Sequence, residues 1–272
     1  MKRIKLILVC GLVLALTGLT TLVVAGGGPR EMHATVRSVV GNVTYQVDGV
    51  GPFLPLKVNM DLNQNTVLKS GPGASAYLQV NGFTSTVKLT DNTTMTLAKM
   101  MATGTGADAD STTNLKLDGG TILGKVKKLS ANSDYSVTVP NGTAGIRGTD
   151  FQVTVTFTGG GNFTVQFTSV TGTLVCQVSL PTGQTGVDTR TLTTGQTWTV
   201  TGTTSTVGPT TTLVITPPAP TPAAVLASIT AAFNTFPAPT PAPTPGPGTG
   251  TAPTTPTQPT QPNQNPSQTG GS

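Results

Sequence analysis

The sequence predicts an all-β fold, an antiparallel-rich sandwich or a solenoid-like β roll, joined to one short helix and a disordered Pro/Thr-rich C-terminal tail. Three observations predict it. Thr, Val and Gly abound while the helix former Glu occurs once, at Glu31, and Thr and Val suit half-buried pleated strands. Short segments of period-two apolar alternation recur from about residue 34 to residue 216. Glycine and asparagine punctuate those segments where turns are needed.

The first 25 residues read as a targeting segment. Lys2, Arg3 and Lys5 precede a long apolar run, and Val23-Val24-Ala25 puts small residues ahead of Gly26, the layout of a cleaved secretory signal. An uncleaved N-terminal anchor is the alternative. The mature protein is therefore expected to be exported, periplasmic or extracellular, with no membrane span. Cleavage removes three of 15 basic residues and leaves 12 against 10 acidic ones, a net charge of +2. So small a surplus, with no aromatic side chains among the cations, makes no case for nucleic acid. Cys176 becomes the one cysteine, which excludes an intrachain disulfide. Within LVCQV it reads as a small buried apolar residue.

Residues 34–216 then supply a β domain. ATVRSVVGNVTYQVDG is expected to form a hairpin turning at Gly41-Asn42. SAYLQVNGFTSTVKLTDNTTMTL contains Asn81-Gly82, a strong hairpin signal, and alternates Tyr77 and Gln79 with Leu78 and Val80. ATGTGADADSTTN, residues 102–114, reads as a long polar loop at a hairpin tip. Asp108 and Asp110 there fall well short of the ligand set that calcium takes. LKLDGGTILGKVKKL is a turn-and-strand unit whose Lys125 and Lys127 share one face, either a solvated, edge-protecting face or a docking patch for an acidic surface. FQVTVTF and FTVQFTSV flank Gly159-Gly160-Gly161 as a hairpin. Its predicted inner face is Phe151, Val153, Val155 and Phe157 on one strand and Phe163, Val165 and Phe167 on the other. TLVCQVSL and QTWTVTG add two strands, the second carrying Trp198.

Residues 222–236 carry the one helical pattern, with Val225, Leu226, Ile229, Phe233 and Phe236 forming an apolar stripe. So short a helix is marginal in water by itself, and is expected to dock on the β domain or to fold on a partner. Residues 237–272, rich in Pro, Thr, Gln and Gly, are expected to stay extended and disordered as a spacer or tether.

One stretch stands apart: VTVPNGTAGIRGTDFQV. Gly145 and Gly148 permit backbone angles or close approaches that other residues resist. Arg147 between them carries five donors and a permanent charge, and Asp150 is its nearest carboxylate in sequence. Arg147 is expected to clamp backbone carbonyls or a carboxylate, with a partner contact as the alternative. If such a network is buried, losing one partner costs about 3–5 kcal/mol.

That run resembles the signature of FecR-type domains, an extended TP-like element followed by (V/I)RGT(E/D)F. Upstream, VLKSGPGASAYLQVNGFTSTVKLTDNTTMTL and LDGGTILGKVKKL resemble the strands that precede the signature, so the likeness covers about residues 36–156. It implies that Gly145, Arg147, Gly148, Thr149, Asp150 and Phe151 are the family signature, with a structural role. The best-known members are transmembrane regulators that handle a sigma factor on one side of the membrane and sense a receptor on the other. Here few residues precede the signal, and a Pro-rich tail stands where those proteins carry their receptor-facing module. The resemblance thus implies an exported, non-enzymatic FecR-like binding or assembly module of the bacterial cell envelope. A periplasmic component of a FecR-type cell-surface signalling system is the alternative. Its partner is expected to be another envelope protein or a polymer.

No enzyme is expected. His33, the one histidine, lies beside the predicted cleavage point, so Ser-His or Cys-His catalysis lacks its base. Zinc needs several His or Cys ligands, and no cofactor or metal is expected. The scattered acids, as in Asp48-Gly49 and Asp118-Gly119, read as turn formers.

Overall fold

The computed structural model describes residues 28–80, 85–104, 109–181, 183–204 and 210–237. The predicted signal, the Asn81-Gly82 turn, Asp108 and almost all of the predicted tail lie outside them. The described chain is a β sandwich, Arg30 to Pro220, with one helix packed on it.

Seventeen strands run β1 Arg30–Glu31, β2 Ala34–Val40, β3 Val43–Gln46, β4 Leu54–Pro55, β5 Asp61–Leu62, β6 Val67–Ser70, β7 Ser75–Val80, β8 Ser85–Leu89 and β9 Thr94–Thr103, followed by β10 Asp110–Val126, β11 Asp134–Val139, β12 Gly142–Phe157, β13 Asn162–Ser179, β14 Val187–Leu192, β15 Gln196–Thr204, β16 Thr210–Ile215 and β17 Ala219–Pro220. Helix α1 is Ala223–Asn234. The pairings sort into two layers. One runs β14, β13 (C-terminal half), β12 (N-terminal half), β11, β10 (N-terminal half), β9, β6, β3, β4. The other runs β16, β15, β13 (N-terminal half), β12 (C-terminal half), β10 (C-terminal half), β8, β7, β2, β5. Every pair is antiparallel except β10 with β11. That rules out the stacked parallel coils of a solenoid.

The three longest strands belong to both layers. β10 changes layer at Asp118–Gly120, β12 at Gly148-Thr149 and β13 at Gly172, with register shifts close to each. The inner faces of both layers join in one core. Phe151, Phe163, Phe167 and Trp198 are its largest buried side chains; Phe167 stacks on Trp198 at 5.9 Å, and Trp198 Nε1 donates to Thr216 O at 2.7 Å.

Three local expectations need correction. Gly41-Asn42 does not turn a hairpin: β2 pairs with β7 and β3 with β6, so the chain passes there from one layer to the other. Gly41 has φ +70°, and a Cβ on it would sit 3.0 Å from Ala74 Cβ, a close approach that glycine allows. Residues 110–114 are not loop. They open β10 and pair with β9, because Ser111 and Thr113 alternate inward and are buried, Ser111 with its N–H bonded to Ser133 Oγ at 2.8 Å. Phe157, placed on the inner face by its spacing, is 52% exposed at the end of β12.

Helix α1 lies on the outer face of the second layer. Ile229 and Phe233 are buried against Leu123 and Val170, with Leu226 and Phe236 packed beside them. Tyr77 meets Phe236 edge-on at 5.1 Å and its hydroxyl is 2.7 Å from Thr235 Oγ1. This docking explains why β7 is buried on both faces, Tyr77 and Gln79 as well as Leu78 and Val80. Val225, at the start of the predicted stripe, is 46% exposed.

Candidate functional site

The signature residues build the corner of β12. Arg147 faces Thr173 and Asp150 faces Thr171, so Gly148 and Thr149 together oppose the single residue Gly172, the definition of a bulge. A second shift follows between Asp150 and Phe151, where Val170 is the extra residue and the original register returns. Gly148 takes φ +62° and Gly172 φ +78°. A Cβ on Gly172 would lie 2.8 Å from Gly148 O, so the two glycines let the strands close on each other at the bend. Thr149 is buried and its Oγ1 donates to the carbonyls of Thr173 at 2.9 Å and Arg147 at 3.2 Å. The Asp150 N–H donates to Thr171 Oγ1 at 3.1 Å.

Phe151 enters the core directly after the bend. Its ring stands 6.4 Å from that of Tyr135, edge to face, and covers Gly124, its cross-strand partner. A Cβ on Gly124 would fall inside the Phe151 ring. Gly124 is thus a residue of this site that the reading of sequence missed. The alternation of LGKV gives no sign of it, because the hole it leaves is filled by a side chain 27 residues later.

Arg147 points outward and is exposed, and its Nη2 donates to Ala131 O at 3.0 Å. Ala131 sits in the connection between β10 and β11, residues 127–133, which carries the chain from one layer back to the other. Lys128 in the same connection packs over Gly148, 3.3 Å from where a Cβ would stand. The connection is also pinned by Ser130 Oγ to Asp110 at 2.7 Å and Asn132 Nδ2 to Asp110 at 3.1 Å. Of the two partners expected for Arg147, a backbone carbonyl is the one found. Asp150 instead approaches Lys125, 3.8 Å apart with the lysine half exposed, a geometry worth little. Gly145 takes no special backbone angle; it pairs in extended form with Ser136 and Val175. What it contributes is a missing side chain. Gly145, Arg147, Thr173, Val175, Ile146 and Asp134 line a shallow cleft of about 250 Å³ on the outer face of the first layer.

The remaining candidate groups stand elsewhere. Cys176 is buried in the core, and burial pushes its thiol up to about 12. His33 lies 3.7 Å from Asp61 at the surface. Lys127 and Lys128 are exposed. Among the described residues no three His, Cys, Asp or Glu side chains gather closely enough to hold a metal ion, and no helix is long and apolar enough to cross a membrane.

Residues 66–171 match the family described as FecR protein. The match begins one residue before β6, takes in the β12 side of the bulged corner and ends beside Gly172. Two crystal structures of a "putative anti-sigma factor" from Parabacteroides distasonis ATCC 8503, at 1.65 and 2.50 Å resolution, are similar to this chain at 14% identity. The similarity covers 57% of this chain and 59% of theirs, with a TM-score of 0.38, so this chain spans less than two thirds of the length of those proteins. No curated protein matches it. The residues of this chain that are similar to the FecR family are thus 66–171, and Arg147 lies among them.

Proposed function

We propose that this protein is an exported, non-enzymatic FecR-type component of the bacterial cell envelope, working in signalling by binding another envelope protein. The reading rests on the FecR match at residues 66–171. In it Arg147 is a structural clamp: it spends one donor on Ala131 O and holds the 127–133 connection against the bend. The same guanidinium has five N–H groups, and those not spent on Ala131 border the cleft with Asp134, Thr173 and Val175. An exposed arginine beside a cleft is the kind of anchor that protein interfaces use, and the exposed Val175 adds apolar area next to it. This face is the binding surface, and export by the N-terminal signal delivers it to the envelope.

The test is capture in the native host. The full chain, tagged and carrying a photo-crosslinker at Val175, is irradiated in intact cells, alongside the same protein with Arg147→Ala. One envelope protein captured by the first and lost from the second supports the reading. Capture of nothing sinks the binding role, and capture unchanged by Arg147→Ala moves the contact to another face.

A further inference from the structure

We propose a second binding site, for a neutral polysaccharide chain, on the outer face of the second layer. It goes beyond the reading above, uses none of the same residues and depends on no protein partner.

A cleft of about 430 Å³ opens there, within the roughly 300–1,000 Å³ of small-ligand sites. Its floor is the outward rank of three adjacent strands: Gln152 on β12, Gln166 and Thr168 on β13, Thr197 and Thr199 on β15. The register sets these side chains abreast, Gln152 opposite Thr168, Thr168 opposite Thr197 and Gln166 opposite Thr199. The hydroxyls form a chain, Thr168 to Thr197 at 2.9 Å and Thr197 to Thr221 at 2.8 Å. The carboxamides are largely unspent. Gln166 and Gln152 each make one long contact, 3.4 Å, to a threonine hydroxyl, although a carboxamide has four bonding positions. The facing wall is apolar: Pro217, Ala219, Pro220, Pro222 and the half-exposed Val225.

This pairing of surfaces selects its occupant. No residue lining the cleft is titratable, so nothing compensates a phosphate, a carboxylate or an ammonium group, and burying such a charge unpaired is costly. That excludes nucleic acid, which binds through cations, and acidic polymers. No Trp, Tyr or Arg lines it, so it lacks the anchors from which protein interfaces draw most of their energy. A pyranose ring, by contrast, has C–H faces and a hydroxyl rim. The proline wall fits the first, and the threonine and glutamine floor supplies both donors and acceptors to the second. The cleft is only partly enclosed, so a polymer can extend beyond the sugar units it holds, which suits a chain as well as a single sugar.

Affinity gel electrophoresis of the whole protein in gels cast with dextran, laminarin or hydroxyethylcellulose tests this, with alginate as the acidic control. Two variants accompany it: Gln166→Ala on the exposed floor, and Val225→Glu in the wall. The second places an acid in the first turn of α1, where it favours the helix, so folding is kept while the cleft acquires a charge. The expected result is retardation by at least one neutral polymer, weakened about tenfold in each variant, the scale of one lost hydrogen bond or an uncompensated charge. Retardation by none of the neutral polymers, by alginate alone, or undiminished from the unmodified protein in both variants overturns the proposal. Because neither variant touches the Arg147 corner, loss of polymer binding with protein capture intact separates this site from the other.

Discussion

Strands change layer at two corners that solve one geometric problem with different chemistry. At Gly120, β10 bends with φ +90°, and a Cβ there would come within 2.5 Å of Thr93 Cα. The bend is closed by neutral groups: Thr93 Oγ1 donates to Thr121 O at 3.1 Å and accepts from the Thr121 N–H at 3.0 Å. At Gly148, β12 bends with φ +62° and has its own buried threonine, Thr149, in the same capacity. Only the second corner adds an exposed arginine. A bend evidently does not require one, since β10 manages without. The arginine therefore belongs to what lies outside the bend, the 127–133 connection and the cleft.

The comparison can be broken most severely at its tightest point. Gly120→Ala should cost more than about 4 kcal/mol or prevent folding, since both the backbone angle and the contact with Thr93 backbone are violated; urea unfolding measures it, and a mild loss would mean that the corner has room to relax. Phe151→Ala should cost about 3–5 kcal/mol by the same measurement, as a fully buried ring leaves a void over Gly124. Thr149→Val keeps shape but leaves the Thr173 carbonyl without its hydroxyl, an expected loss of about 1–3 kcal/mol. Arg147→Ala should have the smallest effect, within about 1 kcal/mol, because its bond to Ala131 is solvent-exposed. A loss of 3–5 kcal/mol there would show instead that the arginine acts as a buried clamp.

The strands were legible where one periodicity had one cause. Phe151, Val153 and Val155 alternate because one face of β12 meets the core, and all three are buried. Legibility failed where a local signal has two spatial meanings. Gly41-Asn42 announces a positive φ, but only the neighbours decide whether the flanking strands pair with each other or diverge into two layers. Tyr77 and Gln79 look like an outward face, and nothing near them says that a helix 150 residues on will cover it. The signature itself was plain in sequence. The partner of its arginine was not, because a backbone carbonyl at Ala131 has no side-chain signature and lies 16 residues away.

Three strands that serve both layers have a mechanical consequence. In a sandwich of two independent sheets, one layer can slip over the other or peel off first. Here β10, β12 and β13 are rivets: each hydrogen-bond ladder on one side continues as a ladder on the other, so sliding would tear backbone bonds in both. Several pairings also join strands that are far from consecutive, as β2 with β7 and β3 with β6 are, a topology that slows folding. Amides at Val137 in one layer and Val153 in the other should then exchange with solvent only through the same global opening. A partner gripping one face would be pulling on a rigid plate rather than on a hinge.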